Sequence, residues 1–177
     1  MPAPGGRSEP PAAVLVSFLA GEEEPRREAL RRLEAVLGPL EFLSAPIPFP
    51  SDYYRPEMGG PLTRRVGMYR RLVETHRLAA IKRACLVVEA QLARQGRRRV
   101  NLDPGLLSAE GLVLATTKPR GHRIALAPGL WAELTLWYHQ GAFQPLPWTY
   151  PDWAGEELRE LLTRPRRRYL WRRKEGE

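Results

Sequence analysis

The stretch "AAVLVSFLAG", Ala12 to Gly21, constrains the fold more than any other. Its core from Val14 to Leu19 is a continuous apolar run of strand length, far short of the roughly 18 residues that cross a membrane. It therefore predicts a buried first strand. A Pro/Gly-rich leader with one Arg precedes it, which argues against a signal peptide. "GEEEPRREALRRLEAVLG" follows. Glu22 to Glu24 place negative charge at a helix start, Pro25 suits the first turn, and Gly38 ends the helix. Leu30, Leu33, Val36 and Leu37 form its apolar face. Pro39 to Phe49 reads as extended, its prolines suiting an edge strand or a strand exit. The opening is thus strand, helix, strand.

"PSDYYRPEMGGP" has the composition of a loop, and Val66 to Val73 is ambiguous between strand and helix. Leu78 to Gln95 predicts a helix: Ile81, Cys85, Val88 and Leu92 recur at helical spacing as one buried stripe. Lys82 and Glu89 stand beside that stripe, about two turns apart, and Gly96 stops the helix. The second half predicts strands at Arg99 to Leu102, Leu112 to Thr117, His122 to Leu126, Trp131 to Tyr138 and near Phe143, with "HQG" and "APG" as turns. Glu156 to Thr163 predicts a short helix, capped by Asp152 or Ala154–Gly155, before the basic tail "RPRRRYLWRRKEGE". No internal repeat is present. The fold class is α+β: a single domain with a strand-helix-strand opening, then a long helix and a mostly antiparallel mixed sheet. The expected divisions are a disordered leader (1–11), a globular domain (12–163) and a tail (164–177).

The net charge of +8 raises nucleic acid or an anionic substrate as partner. Composition tempers that reading. Arg supplies 25 of the 28 basic residues, and Glu 17 of the 20 acidic ones, a skew typical of codon bias. Rare types are therefore the informative ones: Asp52, Asp103, Asp152, Lys82, Lys118, Lys174 and the single Asn101. A single Cys85 excludes an intramolecular disulfide and a cysteine zinc site, and a reducing cytoplasm is the expectation. On a buried stripe, Cys85 reads as inert packing.

Strand alternation assigns faces. Asn101 and Asp103 share one, as do Thr116 and Lys118. His122, Ile124 and Leu126 oppose Arg123 and Ala125. Glu133, Thr135 and Trp137 share a face opposite Leu134 and Leu136. Such a polar sheet face is either solvated or a binding face. Asn101–Asp103–Pro104–Gly105 is either a turn closing a strand or an amide and a carboxylate that hold a hydroxyl or a metal. Lys118, Arg120, His122 and Arg123 form a cluster suited to phosphate, or a basic loop. Tyr53 and Tyr54 stack a base or pack locally. Trp148 to Asp152 is an aromatic lid or, preferably, a packed strand-to-helix corner. His76 and His139 look peripheral. The candidates for chemistry are His122, for proton transfer, with Asp103 and Glu133, which also serve as candidate magnesium ligands. The candidate ligand-binding set is Asp52, Tyr53, Tyr54, Lys82, Glu89, Arg99, Asn101, Thr117, Lys118, Arg123 and Thr135.

The chain contains no P-loop, no G-x-G-x-x-G, no G-x-S-x-G and no H-E-x-x-H motif, so the usual support for P-loop or dinucleotide binding and serine hydrolysis is missing. Three expectations follow. The first is a domain that binds, or acts on, a phosphate-bearing small molecule such as a nucleotide. The second is an RNA-binding or ribosome-associated module using Arg97 to Arg99 and the tail from Arg164 to Lys174, with Tyr169 and Trp171 interleaved. A scaffold without catalysis is the third reading. No membrane association is expected, and the sequence leaves the oligomeric state open.

Several stretches together resemble a bacterial and archaeal family catalogued as domain of unknown function 4416: "PFPSDYYRPEMG", "IKRACLVVE", "RRRVNLDPG", "LVLATTKPRGHRIAL", "GLWAELTLWY" and "PWTYPDW". They occur in the family's order from Val14 to Trp153. The resemblance carries over Asp52, Tyr53, Tyr54, Glu57, Lys82, Glu89, Arg99, Asn101, Asp103, Gly105, Thr117, Lys118, His122, Arg123, Glu133, Thr135, Thr149, Tyr150 and Asp152. It implies no established activity. Some members bear the label GTP-binding protein, which the missing P-loop does not support. The chain departs from the family pattern at Cys85 and Leu86, where a Thr-Asn pair is expected.

Overall fold

The structure is a computed structural model that describes residues 9–176, so most of the expected leader lies outside the described residues. The first half of the chain runs β1 (Ala12–Ala20), α1 (Glu23–Leu37), β2 (Leu40–Leu43), β3 (Ile47–Phe49), α2 (Arg55–Met58), β4 (Leu62–Val73) and α3 (Leu78–Leu92). The second half runs β5 (Val100–Leu107), β6 (Gly111–Thr116), β7 (Ile124–Ala127), β8 (Leu130–His139), β9 (Ala142–Pro145), α4 (Pro151–Ala154), α5 (Glu156–Leu161) and α6 (Thr163–Glu175).

The strands form one sheet in the order β2-β4-β1-β5-β6-β8-β7, with β3 added on β4 and β9 on β8. Every described pairing is antiparallel, so the expected mixed sheet is antiparallel throughout. The sheet is covered on both faces. Val14, Val16 and Phe18 of β1 meet Ala29 and Leu33 of α1 and Ile81, Cys85 and Val88 of α3. Ala13 and Leu15 point the other way, toward Trp153 of α4, Leu158 of α5 and Tyr169 of α6. This explains the unbroken apolar run. A strand buried on both sides loses the polar half of its alternation, and every residue of β1 is buried.

The ambiguous Val66–Val73 stretch is strand. It lies within β4, which pairs with β1 on one side and with β2 and β3 on the other. Long-range pairing decides what local periodicity leaves open. Helix α3 ends at Leu92, short of the expected Gln95, because Ala93 turns extended and Arg94 bridges back to Arg97.

Two expectations are corrected. "NLDPG" is no turn: Pro104 and Gly105 lie inside β5, paired with Val16 and Leu15 of β1. Gly105 is there for packing. A Cβ on it would stand 2.6 Å from Leu114 Cδ2 and 2.7 Å from the Val113 carbonyl oxygen, so β6 can approach only a glycine. The stretch from Arg164 onward, expected as a basic tail, is the helix α6. It turns Pro165, Tyr169 and Arg172 inward at helical spacing. Tyr169 is fully buried and its hydroxyl donates to the Pro11 carbonyl at 3.0 Å. The Arg172 guanidinium forks onto the Glu41 carboxylate of β2, at 2.9 Å from Nε and 2.5 Å from Nη2. Charge alone therefore misrepresents this segment.

Candidate functional site: an open seam beside β5

The site exists because two strands part. β5 and β6 pair only where Gly105 to Leu107 face Leu112 to Leu114. Before Gly105, the outer edge of β5 has no strand beside it among the described residues, and its backbone groups need other partners. Side chains from α3 provide them. The Leu102 N–H donates to Glu89 Oε1 at 2.6 Å, and the Leu102 carbonyl accepts from Lys82 Nζ at 2.8 Å. The spacing of Lys82 and Glu89 thus serves a single residue of the strand edge. Both residues are buried, each only 4% exposed. Burial raises the Glu89 carboxyl pKa above its usual range, against the opposing pull of the Leu102 N–H and Lys82. Alternation also explains Pro104. Leu102 turns its backbone groups away from β1, so Pro104, two residues on, turns its nitrogen the same way and removes no bond to β1.

A polar chain runs along this edge. Asp103 stands 3.4 Å from Lys82 Nζ and accepts from Asn101 Nδ2 at 2.8 Å. The Asn101 side-chain oxygen accepts from Arg98 Nη1 at 2.7 Å, and Arg98 forks onto the Glu57 carboxylate with two bonds of 2.7 Å. That fork holds the Glu57 carboxyl below its usual range. The Tyr54 ring lies under the Arg98 guanidinium, 5.6 Å from its centre. Burial, reinforced by the Asp103 charge, raises the pKa of the Tyr54 hydroxyl.

A second cluster forms across the seam. Glu133 on β8 is 4% exposed. Its Oε2 accepts from Arg123 Nε at 2.7 Å and lies 3.0 Å from His122 Nε2. His122 stacks on Trp148, with ring centres 5.0 Å apart. Burial disfavours the Arg123 cation, yet the bonds to Glu133 and Tyr150 outweigh it and raise the Arg123 pKa. The Lys118 carbonyl accepts from Arg123 Nη1 at 2.6 Å, while Lys118 Nζ donates to the Tyr53 hydroxyl at 2.8 Å. That cation lowers the Tyr53 pKa. Tyr53 and Tyr54 meet edge to face at 4.9 Å and so join the two clusters.

Not every candidate belongs here. Asp52 is exposed and pairs with Arg55 at 3.3 Å. Arg99 turns to Glu22 and Glu24 at the start of α1, at 2.9 and 2.8 Å. Thr117 is exposed, without a described partner. Thr135 is fully buried and is skipped in the register, since Val113 faces Leu134 while Leu112 faces Leu136. That bulge breaks the expected shared face of Glu133, Thr135 and Trp137. His122 and Arg123 precede β7 rather than alternating along it, so both reach the same carboxylate. The candidate metal ligands Asp103 and Glu133 stand in separate clusters, each matched to a cation. Among the described residues no group of three or more His, Cys, Asp or Glu is placed to hold a metal ion. The stretch from Trp148 to Asp152 packs as a corner, with Asp152 paired to the buried Arg64.

The candidate set lacked Arg98, while Glu57 and Tyr150 entered only through the family resemblance. Within "RRRV" nothing local separates Arg98 from its neighbours, because a long-range partner, Glu57, defines its role. The constellation is separate from two cavities of the fold. Cavities of about 610 Å³, between β2 and the α5–α6 region, and about 410 Å³, between the ends of α1 and β4 and the start of α3, are lined by none of its residues. Among the described residues no helix is long and apolar enough to cross a membrane.

No curated protein and no solved structure matches the chain. Residues 10–169 match the model of a family described as Domain of unknown function (DUF4416). That span contains the buried strand, both clusters of the seam and the buried Tyr169 of α6, and the chain belongs to the DUF4416 family.

Proposed function

We propose that the seam binds a phosphate-bearing small molecule, with a nucleotide as the best fit, at its mouth beside Lys118. The observation that carries this reading is the uneven use of charge. Arg98, Arg123 and Lys82 are each matched to a carboxylate. Lys118 is exposed and rests on a neutral partner, the Tyr53 ring, at 4.6 Å from its centre. Its ammonium keeps hydrogens for an anion, and the exposed Arg120 stands two residues away. Tyr53 and Trp148, both partly or fully exposed, offer faces for a base. If a reaction follows binding, His122 is the proton carrier, oriented by the buried Glu133 through a 3.0 Å contact. Asp103 and Glu133 are already matched to cations, so the reading does not require magnesium.

The test is titration calorimetry and thermal shift with inorganic phosphate and nucleoside mono-, di- and triphosphates, with and without magnesium. Lys118→Ala should weaken binding about tenfold or more, since a charge-assisted bond contributes about 1.5–3 kcal/mol. Its melting temperature without ligand should stay near wild type. If no phosphorylated compound binds the wild-type protein at millimolar concentration, the reading fails.

A further inference from the structure

We infer that the outer face of α6 is a docking surface for single-stranded nucleic acid, on the side of the sheet opposite α1 and α3. The inward face of the helix carries Pro165, Tyr169 and Arg172. At 3.6 residues per turn the opposite side carries Arg167, Trp171 and Lys174, with Arg164 at its margin. All four are exposed, and Trp171 is 56% exposed. No acidic residue lies between Thr163 and Lys174, and the one carboxylate of α6 is Glu175 in its last turn.

The structure divides the arginines of this segment into two groups. Arg166 donates twice to the Ala109 carbonyl, at 3.1 and 2.8 Å, and Arg168 and Arg172 face Glu41. Those three hold the helix to the sheet. Arg167, Arg173 and Lys174 have no partner among the described residues, and Arg164 meets only the face of Phe42. What remains outside is a row of cations without an ion pair among the described residues, around a single exposed indole. Single-stranded nucleic acid matches this surface, with phosphates for the cations and a base face for the indole. A lipid surface matches it less well, because an interfacial helix needs an apolar stripe. Here Tyr169 is buried and Leu170 packs partly against the core, which leaves Trp171 alone.

The experiment measures binding of labelled single-stranded RNA and DNA oligonucleotides and a duplex to the full chain, across a salt series. Either single strand should bind more tightly than the duplex, with affinity falling as salt rises. The variant Arg167→Glu/Lys174→Glu should lose about tenfold or more, and Trp171→Ala about fivefold or more, with Trp171→Phe recovering part of it. The control Arg27→Glu/Arg83→Glu makes the same charge change at exposed positions of α1 and α3 and should stay within about threefold of wild type. Every substituted side chain is exposed, and circular dichroism should show each variant folded. Arg167→Glu/Lys174→Glu should bind nucleoside phosphates as the wild type does, which separates this surface from the small-molecule reading. Absence of binding overturns the proposal, as does equal loss in the α6 and control variants. Trp171-dependent binding to anionic vesicles in preference to oligonucleotide also overturns it.

Discussion

Gly105 illustrates how a residue's meaning depends on what lies across the sheet. Beside Pro104 it has the chemistry of a turn, yet it pairs with Leu114 of β6, where the neighbouring strand leaves no room for a Cβ. Gly105→Ala would press a methyl group onto Leu114 and the Val113 carbonyl oxygen, and overpacking of this kind costs about 1–3 kcal/mol. Urea unfolding should show that loss, and a variant as stable as wild type would contradict the close approach. Glu89 makes a second residue-level prediction. Its folded-state pKa is raised, so its contribution to stability is full below the ordinary carboxylate value and is lost as pH rises through the raised one. Glu89→Gln keeps an acceptor for the Leu102 N–H but does not titrate. The stability of wild type relative to this variant should therefore fall as pH climbs from the carboxylate range to neutrality. A difference that stays flat or rises would show that Glu89 is not destabilised by ionising there. Glu89→Ala should cost about 1–3 kcal/mol, since it leaves the Leu102 N–H unpaired.

Among the elements, α6 departs furthest from its sequence reading. Its arginines suggest a solvated tail, but Tyr169 and the Arg172–Glu41 fork seal one face of the sheet. Tyr169→Ala should destabilise the protein by about 3–5 kcal/mol, the range for losing a fully buried aromatic ring. Thermal and chemical denaturation check this, and a near-neutral result would mean that α6 detaches at little cost. The fork also holds the Glu41 carboxyl below its usual range, so it stabilises the fold above the ordinary carboxylate pKa and is lost as pH falls through the lowered one. Removing α6 to test nucleic-acid binding would unseat this packing, which is why outward-facing substitutions serve better. The signal for the helix was present in sequence: Pro165, Tyr169 and Arg172 recur at helical spacing. The density of Arg hid it.

For the molecule as a whole, the seam gathers residues from distant parts of the chain. Tyr53 and Tyr54 come from the loop before α2, Lys82 and Glu89 from α3, Asn101 and Asp103 from β5, and His122, Arg123 and Glu133 from around β7 and β8. The separation of β6 from β5 beyond Gly105 makes room for all of them. The same geometry keeps most of their charges mutually neutralised. This focuses the ligand prediction on Lys118 and gives Lys118→Ala its value as a test. The buried arginines are balanced by carboxylates and add nothing to the net charge of +8, which comes from exposed cations at several places, the Lys118 loop and α6 among them.

The sequence by itself determined β1, α1, the buried stripe of α3 and the α+β class, because these rest on local periodicity and burial. It also placed Asn101 and Asp103 on one face and singled out Lys82, Lys118 and Glu133 by their rarity or position. Only the tertiary structure decided that Pro104–Gly105 continues a strand, that Arg98 belongs to the site while Arg99 does not, and that the basic end is a packed helix. Each of those outcomes depends on a partner far along the chain: β6 for Gly105, Glu57 for Arg98, Glu41 for Arg172. Local composition carries no record of such partners, since strand pairing and ion pairing are set by which segments the fold brings together.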